Sequence, residues 1–191
     1  MNITLIVALA LALLLFGFGV LIYNNLVRLK HTVAKAWSNI DVALKQRHDE
    51  IPKLVTLCKE YMRYERDTLE RIVRARNQVL SATDRGDVRA LGPAESELRA
   101  GLGRLLALAE NYPDLKADRS FRQLSERISR LEDTIADRRE LYNESVNLHN
   151  IRLEQFPDAL IARRFGFRRR DLLEFRDARE SPDLDALFRS S

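Results

Sequence analysis

The sequence predicts an all-α chain, an N-terminal transmembrane helix followed by an antiparallel four-helix bundle. Three observations carry this. Residues 1–22 hold no charged side chain. Beyond them, apolar residues recur at alternating spacings of three and four, the period of a helix with one buried face. The alternation of period two that marks a half-buried strand is found nowhere. Seven glycines and five prolines are few for a chain of this length, and most stand between the periodic stretches, where helices end.

The apolar run comes first. Ile3 to Ile22, "ITLIVALALALLLFGFGVLI", rises about 1.5 Å per residue and so matches a hydrocarbon core about 30 Å thick. A cleaved signal peptide would have a basic start, a shorter apolar core and a small-residue cleavage site. Here the run passes straight into "YNNLVRLK", with Tyr23 suited to the membrane interface and Arg28 and Lys30 behind it. A permanent single-pass anchor is expected. Arg28, Lys30 and Lys35 lie on its C-terminal side, and the side before it carries no Lys or Arg. The positive-inside tendency then predicts a cell-membrane protein whose soluble part faces the cytoplasm.

Four apolar stripes follow. Leu26, Val33, Trp37, Ile40 and Leu44 form the first. Ile51, Leu54, Val55, Cys58, Tyr61, Met62, Leu69, Ile72 and Val73 form the second. Leu98, Leu102, Leu105, Leu106 and Ala109 form the third, and a fourth runs from Phe121 through Ile128, Ile135, Tyr142 and His149 to Leu153. The clearest loop is "SATDRGDVRALGPAE", Ser81 to Glu95, with Pro93 suited to the first turn of a new helix. "ENYPDLKAD" is the next break. Pro52 is expected to mark a tight corner at Arg47 to Ile51, because Asp49 as an N-cap would place the proline in a first turn. The resulting division is an anchor over 1–22, a bundle over 23–155, and a basic, aromatic C-terminal segment and tail over 156–191.

Charge and cysteine usage exclude more than they assign. Thirty-two Lys and Arg face 28 Asp and Glu, too small an excess to imply a polyanionic partner. With one cysteine there is neither an intrachain disulfide nor a thiolate metal cage. Cys58 sits on an apolar stripe and is expected to be a buried structural thiol. A di-iron bundle would need Glu-x-x-His pairs, whereas the residues three before His31, His48 and His149 are Arg28, Lys45 and Val146. No catalytic, cofactor or metal site is therefore predicted. His48, Asp49 and Glu50 are adjacent titratable groups, but consecutive helical residues point apart, and capping at the corner is the expected role.

Two constellations stand out as candidate sites. Asn143 and Asn150 share a helix face, and Asn39 and Asp41 could meet them from the first helix. A hydrogen-bonded polar layer that fixes register is the plain reading, and a partner contact is the functional one. A solvent-open pocket there would instead indicate an enzyme or a small-molecule sensor. The second constellation is "FPDALIARRFGFRRR". Arg163, Arg164, Arg168, Arg169 and Arg170 are interleaved with Phe165 and Phe167, a composition that suits a membrane surface better than nucleic acid.

The stretches "YNNLVRLKHTVAKAWSNIDVALKQRHDEIPKLV", "ALAENYPDLKAD" and "RRELYNESVNLHNIRLEQFPDALIARRFGF" resemble the LemA family of membrane-anchored bacterial proteins, over Tyr23 to about Phe175. Asn147 stands where a basic residue is common in that family, and His149 where tyrosine is usual. The resemblance implies a four-helix bundle behind one membrane helix, without established enzymatic activity. It further implies roles around envelope maintenance and, in one branch, magnetosome membrane formation. The expected function is a non-enzymatic scaffold or interaction module. Its expected partners are the membrane, other membrane or envelope proteins, and itself.

Overall fold

The structure, a computed structural model, describes residues 2–175. Among these every regular element is a helix: α1 (Ile3–Tyr61), α2 (Arg66–Asp84), α3 (Val88–Ala109), α4 (Pro113–Ala117), α5 (Arg119–Glu154) and α6 (Asp158–Arg164). The chain divides into two compact units. One holds α1 as far as Ile40, α5 from Arg138, α6 and the loop to Leu172. The other holds Asp41–Asp137 together with the segment that begins at Leu173.

The corner expected at Arg47 to Ile51 does not exist. α1 runs unbroken through Pro52, and Asp49 caps nothing because no helix begins beside it. A proline in a helix interior deprives the carbonyl four residues earlier of its donor, here the carbonyl of His48. The Arg76 guanidinium supplies the missing bond, donating from Nε to that oxygen at 2.9 Å. A long-range side chain thus does locally what the backbone cannot. The chain breaks instead at Met62–Glu65, inside what reads in sequence as one continuous stripe. Met62 is buried there and Tyr64 is 95 % exposed.

The predicted loop Ser81–Glu95 also shrinks. Gly86 adopts φ +62°, the left-handed conformation that ends helices, and the amides of Gly86 and Asp87 return to Thr83 and Ala82 at 2.9 and 3.0 Å. Asp87 then accepts from the Ala90 amide and starts α3. The reversal therefore needs only Arg85, Gly86 and Asp87, and Pro93 lies within α3 rather than in its first turn. Gly92 has a packing role instead. A β-carbon there would stand 2.1 Å from the Glu174 carbonyl oxygen, so glycine alone lets the Leu173–Phe175 segment cross α3. Leu173 and Phe175 are buried, and Arg99 lies over the Phe175 ring.

"ENYPDLKAD" is a break, as expected, and also carries the single turn of α4, with Pro113 in its first positions. Asp118 caps α5 by accepting from Ser120 and Phe121 at 2.7 and 3.1 Å. The stripes become the interiors. Leu26, Val33 and Ile40 are buried in the first unit. Ile51, Leu54, Cys58, Ile72, Leu98, Leu105 and Ile128 are buried in the second. Trp37 is a correction of degree, half-buried and tilted against Tyr142 with ring centroids 5.6 Å apart. Cys58 is fully buried, and burial pushes its thiol up to about 12. The residues of α1 from Ile3 onward are exposed through most of the apolar run, and this helix is long and apolar enough to cross a membrane.

Candidate functional site

The C-terminal arginine-phenylalanine segment is organised by one glycine. Just past the end of α6, Gly166 adopts φ +71°. The Gly166 amide bonds back to Arg163 and the Phe167 amide to Ala162, which closes the helix and throws Phe165 and Phe167 to either side of the turn. Both rings meet Tyr23 of α1, at centroid distances of 4.8 and 5.9 Å. Beneath them Ile22, Leu26 and Ala162 form a small apolar core joined by Leu153, Ile161 and Phe167. Gly19 approaches Ile161 closely enough that an added β-carbon would touch it at 3.9 Å. α6 is tied at its start by Arg152, whose guanidinium pairs with the buried Asp158 at 3.4 Å.

After α6 the chain runs on as a loop held to α5 by neutral polar side chains. Asn150 makes two reciprocal bonds with Arg170: its amide donates to the carbonyl and its oxygen accepts from the amide, both at 2.9 Å. The Tyr142 hydroxyl donates to the Asp171 carbonyl at 3.0 Å, and His149 Nε2 to the Arg168 carbonyl at 3.2 Å. Backbone carbonyls accept only, so the His149 bond fixes the proton on Nε2 and leaves Nδ1 as a buried acceptor. Nδ1 has no hydrogen-bond partner among the described residues. Burial, offset in part by the Arg168 carbonyl, and then Arg170 and Lys30 hold this imidazole below the usual histidine range.

These contacts border an open cavity of about 490 Å³ lined by Tyr23, Val27, Lys30 and His31 from α1, His149 from α5, and the loop from Phe165 to Arg170. Its rim is cationic. Arg169 pairs with Glu154, while Lys30, Arg168 and Arg170 are exposed beside it. Arg163, Arg164 and Phe165 are exposed as well, Phe165 to 58 %, and Phe167 is half-buried.

The four residues expected to form a polar layer are engaged in different ways. Asn150 clamps the loop. Asp41 pairs with Lys45 on its own helix at 2.8 Å. Asn39 is exposed, and its carbonyl accepts from Arg138 at 2.6 Å. Asn143 is half-buried one position from Tyr142.

A buried charge cluster in the second unit went unread in sequence. Arg47, 1 % exposed, donates to Glu95, itself 0 % exposed, and to Glu132 at 2.7 Å. Arg99 approaches Glu132 from the other side at 3.3 Å. Burial alone would lower the Arg47 pKa, but the two carboxylates outweigh it and hold the guanidinium charged. For Glu95, burial outweighs the attraction of Arg47 and raises the carboxyl. The signal was available: Arg47 falls on the apolar spacing between Leu44 and Ile51, and Glu95 between Leu91 and Leu98. A charge on an inward stripe needs an opposite charge to meet it. His48 and Asp49 take no part, and Glu50 pairs with Lys53 and Arg127. Among the described residues no three His, Cys, Asp or Glu side chains are grouped to hold a metal ion.

The family model of the LemA family matches residues 36–185. The chain is 24% identical over 183 residues to magnetosome protein MamQ 1 of Paramagnetospirillum magneticum, covering 84% of this chain and 67% of that protein. To magnetosome protein MamQ of Magnetospirillum gryphiswaldense the identity is 23% over the same length and coverage. To protein LemA of Metamycoplasma hominis it is 29% over 143 residues, 74% of this chain and 64% of that protein. The match takes in α1 from Ala36, every later helix and the arginine-rich loop, and the chain belongs to the LemA family.

Proposed function

We propose that this chain is a single-pass membrane protein whose soluble part, an antiparallel four-helix bundle built from α1, α2, α3 and α5, is a non-enzymatic scaffold that grips the bilayer surface at its anchor end. One observation carries the reading. The segment after α5 folds back onto α1 at Gly19, Ile22, Tyr23 and Leu26, where the apolar run ends. That position coincides with the edge of the hydrocarbon if Ile3 to Ile22 span it. Leu160 and Phe165, each 58 % exposed, then face the interface, and Arg163 and Arg164 stand at headgroup level. The relatives named magnetosome proteins are consistent with work at a membrane. The dense basic residues beyond the run, Arg28, Lys30 and Lys35, favour a cytoplasmic soluble part.

The test uses full-length protein in nanodiscs. Leu160→Cys in a Cys58→Ala background is spin-labelled and its depth is read by oxygen-enhanced relaxation. Relaxation typical of the interface is expected. A fully aqueous signature would remove the membrane-grip reading while leaving the anchor in place.

A further inference from the structure

The cavity beside Tyr23 combines features that neither packing nor the membrane grip requires. It has room for a small polar group, about 490 Å³. Its charged walls have one sign, since the acid nearby, Glu154, is already taken by Arg169. His149 lines it as well, with Nε2 already engaged by the Arg168 carbonyl. The height of the cavity narrows the choice. Tyr23 to Lys30 cover about 10 Å of helix, beginning where the apolar run stops. The headgroup layer is about 5–8 Å deep on each side of the hydrocarbon, so the mouth of the cavity opens within it.

We propose that this cavity binds the phosphate-bearing headgroup of an anionic phospholipid, with Lys30, Arg168 and Arg170 balancing its charge and Tyr23 and Phe165 packing beside its glycerol. The proposal rests on the single-pass reading and deepens it, from general attraction to a surface to recognition of one lipid class. The charged or titratable groups that line the cavity with His149 are Tyr23, Lys30 and His31 from α1 and Arg168, Arg169 and Arg170 from the loop. Burial first, offset in part by the Arg168 carbonyl, and then Arg170 and Lys30 hold the His149 ring below the usual histidine range. A bound phosphodiester is monoanionic and opposes the field of those two cations.

The test is made on the full chain in detergent, with dioctanoyl phosphatidylglycerol, dioctanoyl phosphatidylcholine and inorganic phosphate as probes, read by native mass spectrometry. Phosphatidylglycerol should bind about tenfold or more tighter than phosphatidylcholine, and Lys30→Gln with Arg168→Gln should remove that preference. Arg163→Gln with Arg164→Gln, which lie outside the cavity, should change it less than about threefold. Equal losses in the two double variants would overturn the site in favour of diffuse surface attraction. Inorganic phosphate binding as tightly as the lipid would overturn it in favour of a soluble phosphate ligand. Because Lys30→Gln with Arg168→Gln could also perturb folding, the wild-type chain supplies a second readout. Saturation with phosphatidylglycerol should raise the pH at which the His149 ring resonances titrate, because the bound charge offsets Arg170 and Lys30, and an unchanged midpoint would overturn the proposal. Extraction of the chain from membranes by alkaline carbonate would sink the single-pass reading itself. A chain that resists extraction yet shows no lipid preference sinks only the headgroup site.

Discussion

The two compact units handle buried polarity in opposite ways. In the unit that holds α2, α3 and α4, buried charges meet opposite charges: Arg47 answers Glu95 and Glu132, and Arg99 stands against Glu132. In the unit that holds α6, neutral side chains bond backbone. Asn150, Tyr142 and His149 pin the loop from Arg168 to Asp171, and the cations of that loop are left beside a cavity. The first arrangement is closed, because the buried Arg47 has its counter-charges beside it in Glu95 and Glu132. The second is open, because uncharged groups and the Arg169–Glu154 pair secure the loop, and Lys30, Arg168 and Arg170 stand exposed beside the cavity. Polarity that completes itself is architecture, whereas polarity held in place with charge to spare is where a ligand can be recognised.

The largest effect should come from opening the closed network. Arg47→Met strands two carboxylates and should destabilise by about 3–5 kcal/mol, while adding Glu95→Leu should recover most of the loss. Thermal unfolding followed by circular dichroism in detergent reads both. If the double variant were no better than the single one, the charges would not be coupled as described.

The clamp on the loop is weaker. Asn150→Leu removes two bonds to Arg170 and leaves its amide and carbonyl to water, a cost of about 1–3 kcal/mol. Amide exchange should accelerate at Arg170 and its neighbours and stay unchanged in α2 and α3. Uniform acceleration would mean that the two units do not open separately.

A smaller effect tests the unbroken α1. Arg76→Met deprives the His48 carbonyl of its donor and should cost about 1 kcal/mol. Pro52→Ala restores a backbone N–H to that carbonyl, so it should rescue Arg76→Met. An absent rescue would show that Arg76 matters for some other reason.

These sites also show what the sequence could reveal. The periodic stripes named most of the interior, because burial of one helix face leaves its mark every three or four residues. The position of the first reversal was not legible. Pro52 is a strong local breaker, and what overrides it is an arginine 24 residues later in the chain; meanwhile the true break at Met62–Glu65 contains neither glycine nor proline. Because one reversal was displaced and not lost, the number of long helices among the described residues is unchanged. Of the candidate site, the arginines and phenylalanines were visible as a cluster. Tyr23, Lys30 and His149 were not, since only tertiary packing brings them to the same cavity. Asn150 was noticed for its spacing but acts on backbone, a role that leaves no periodic signal.

The smallest expected effect is on pH dependence. Burial, and then Arg76, hold His48 below its ordinary range, and burial does the same for His149. A histidine whose folded pKa is depressed binds fewer protons than in the unfolded chain. Its contribution to stability is therefore complete above about pH 6.5 and is lost as pH falls below that value. Glu95 acts oppositely, because its raised carboxyl favours folding at lower pH. The net slope between pH 7 and 5 should be shallow and positive, and His149→Gln should flatten it. A slope unchanged by that substitution would place the titration elsewhere.

The central claim is that the segment after α5 docks on α1 at the end of the apolar run and so builds its site at the membrane surface. Crosslinking in intact membranes tests it most directly. Tyr23→Cys and Phe165→Cys, in a Cys58→Ala background, replace two rings whose centroids lie 4.8 Å apart. Rapid intrachain closure by a short bis-maleimide is the predicted result, visible as a mobility shift after a protease cut between α1 and α6. Absence of closure, under conditions where an i, i+4 cysteine pair on α1 reacts fully, would contradict the docking and the site that depends on it.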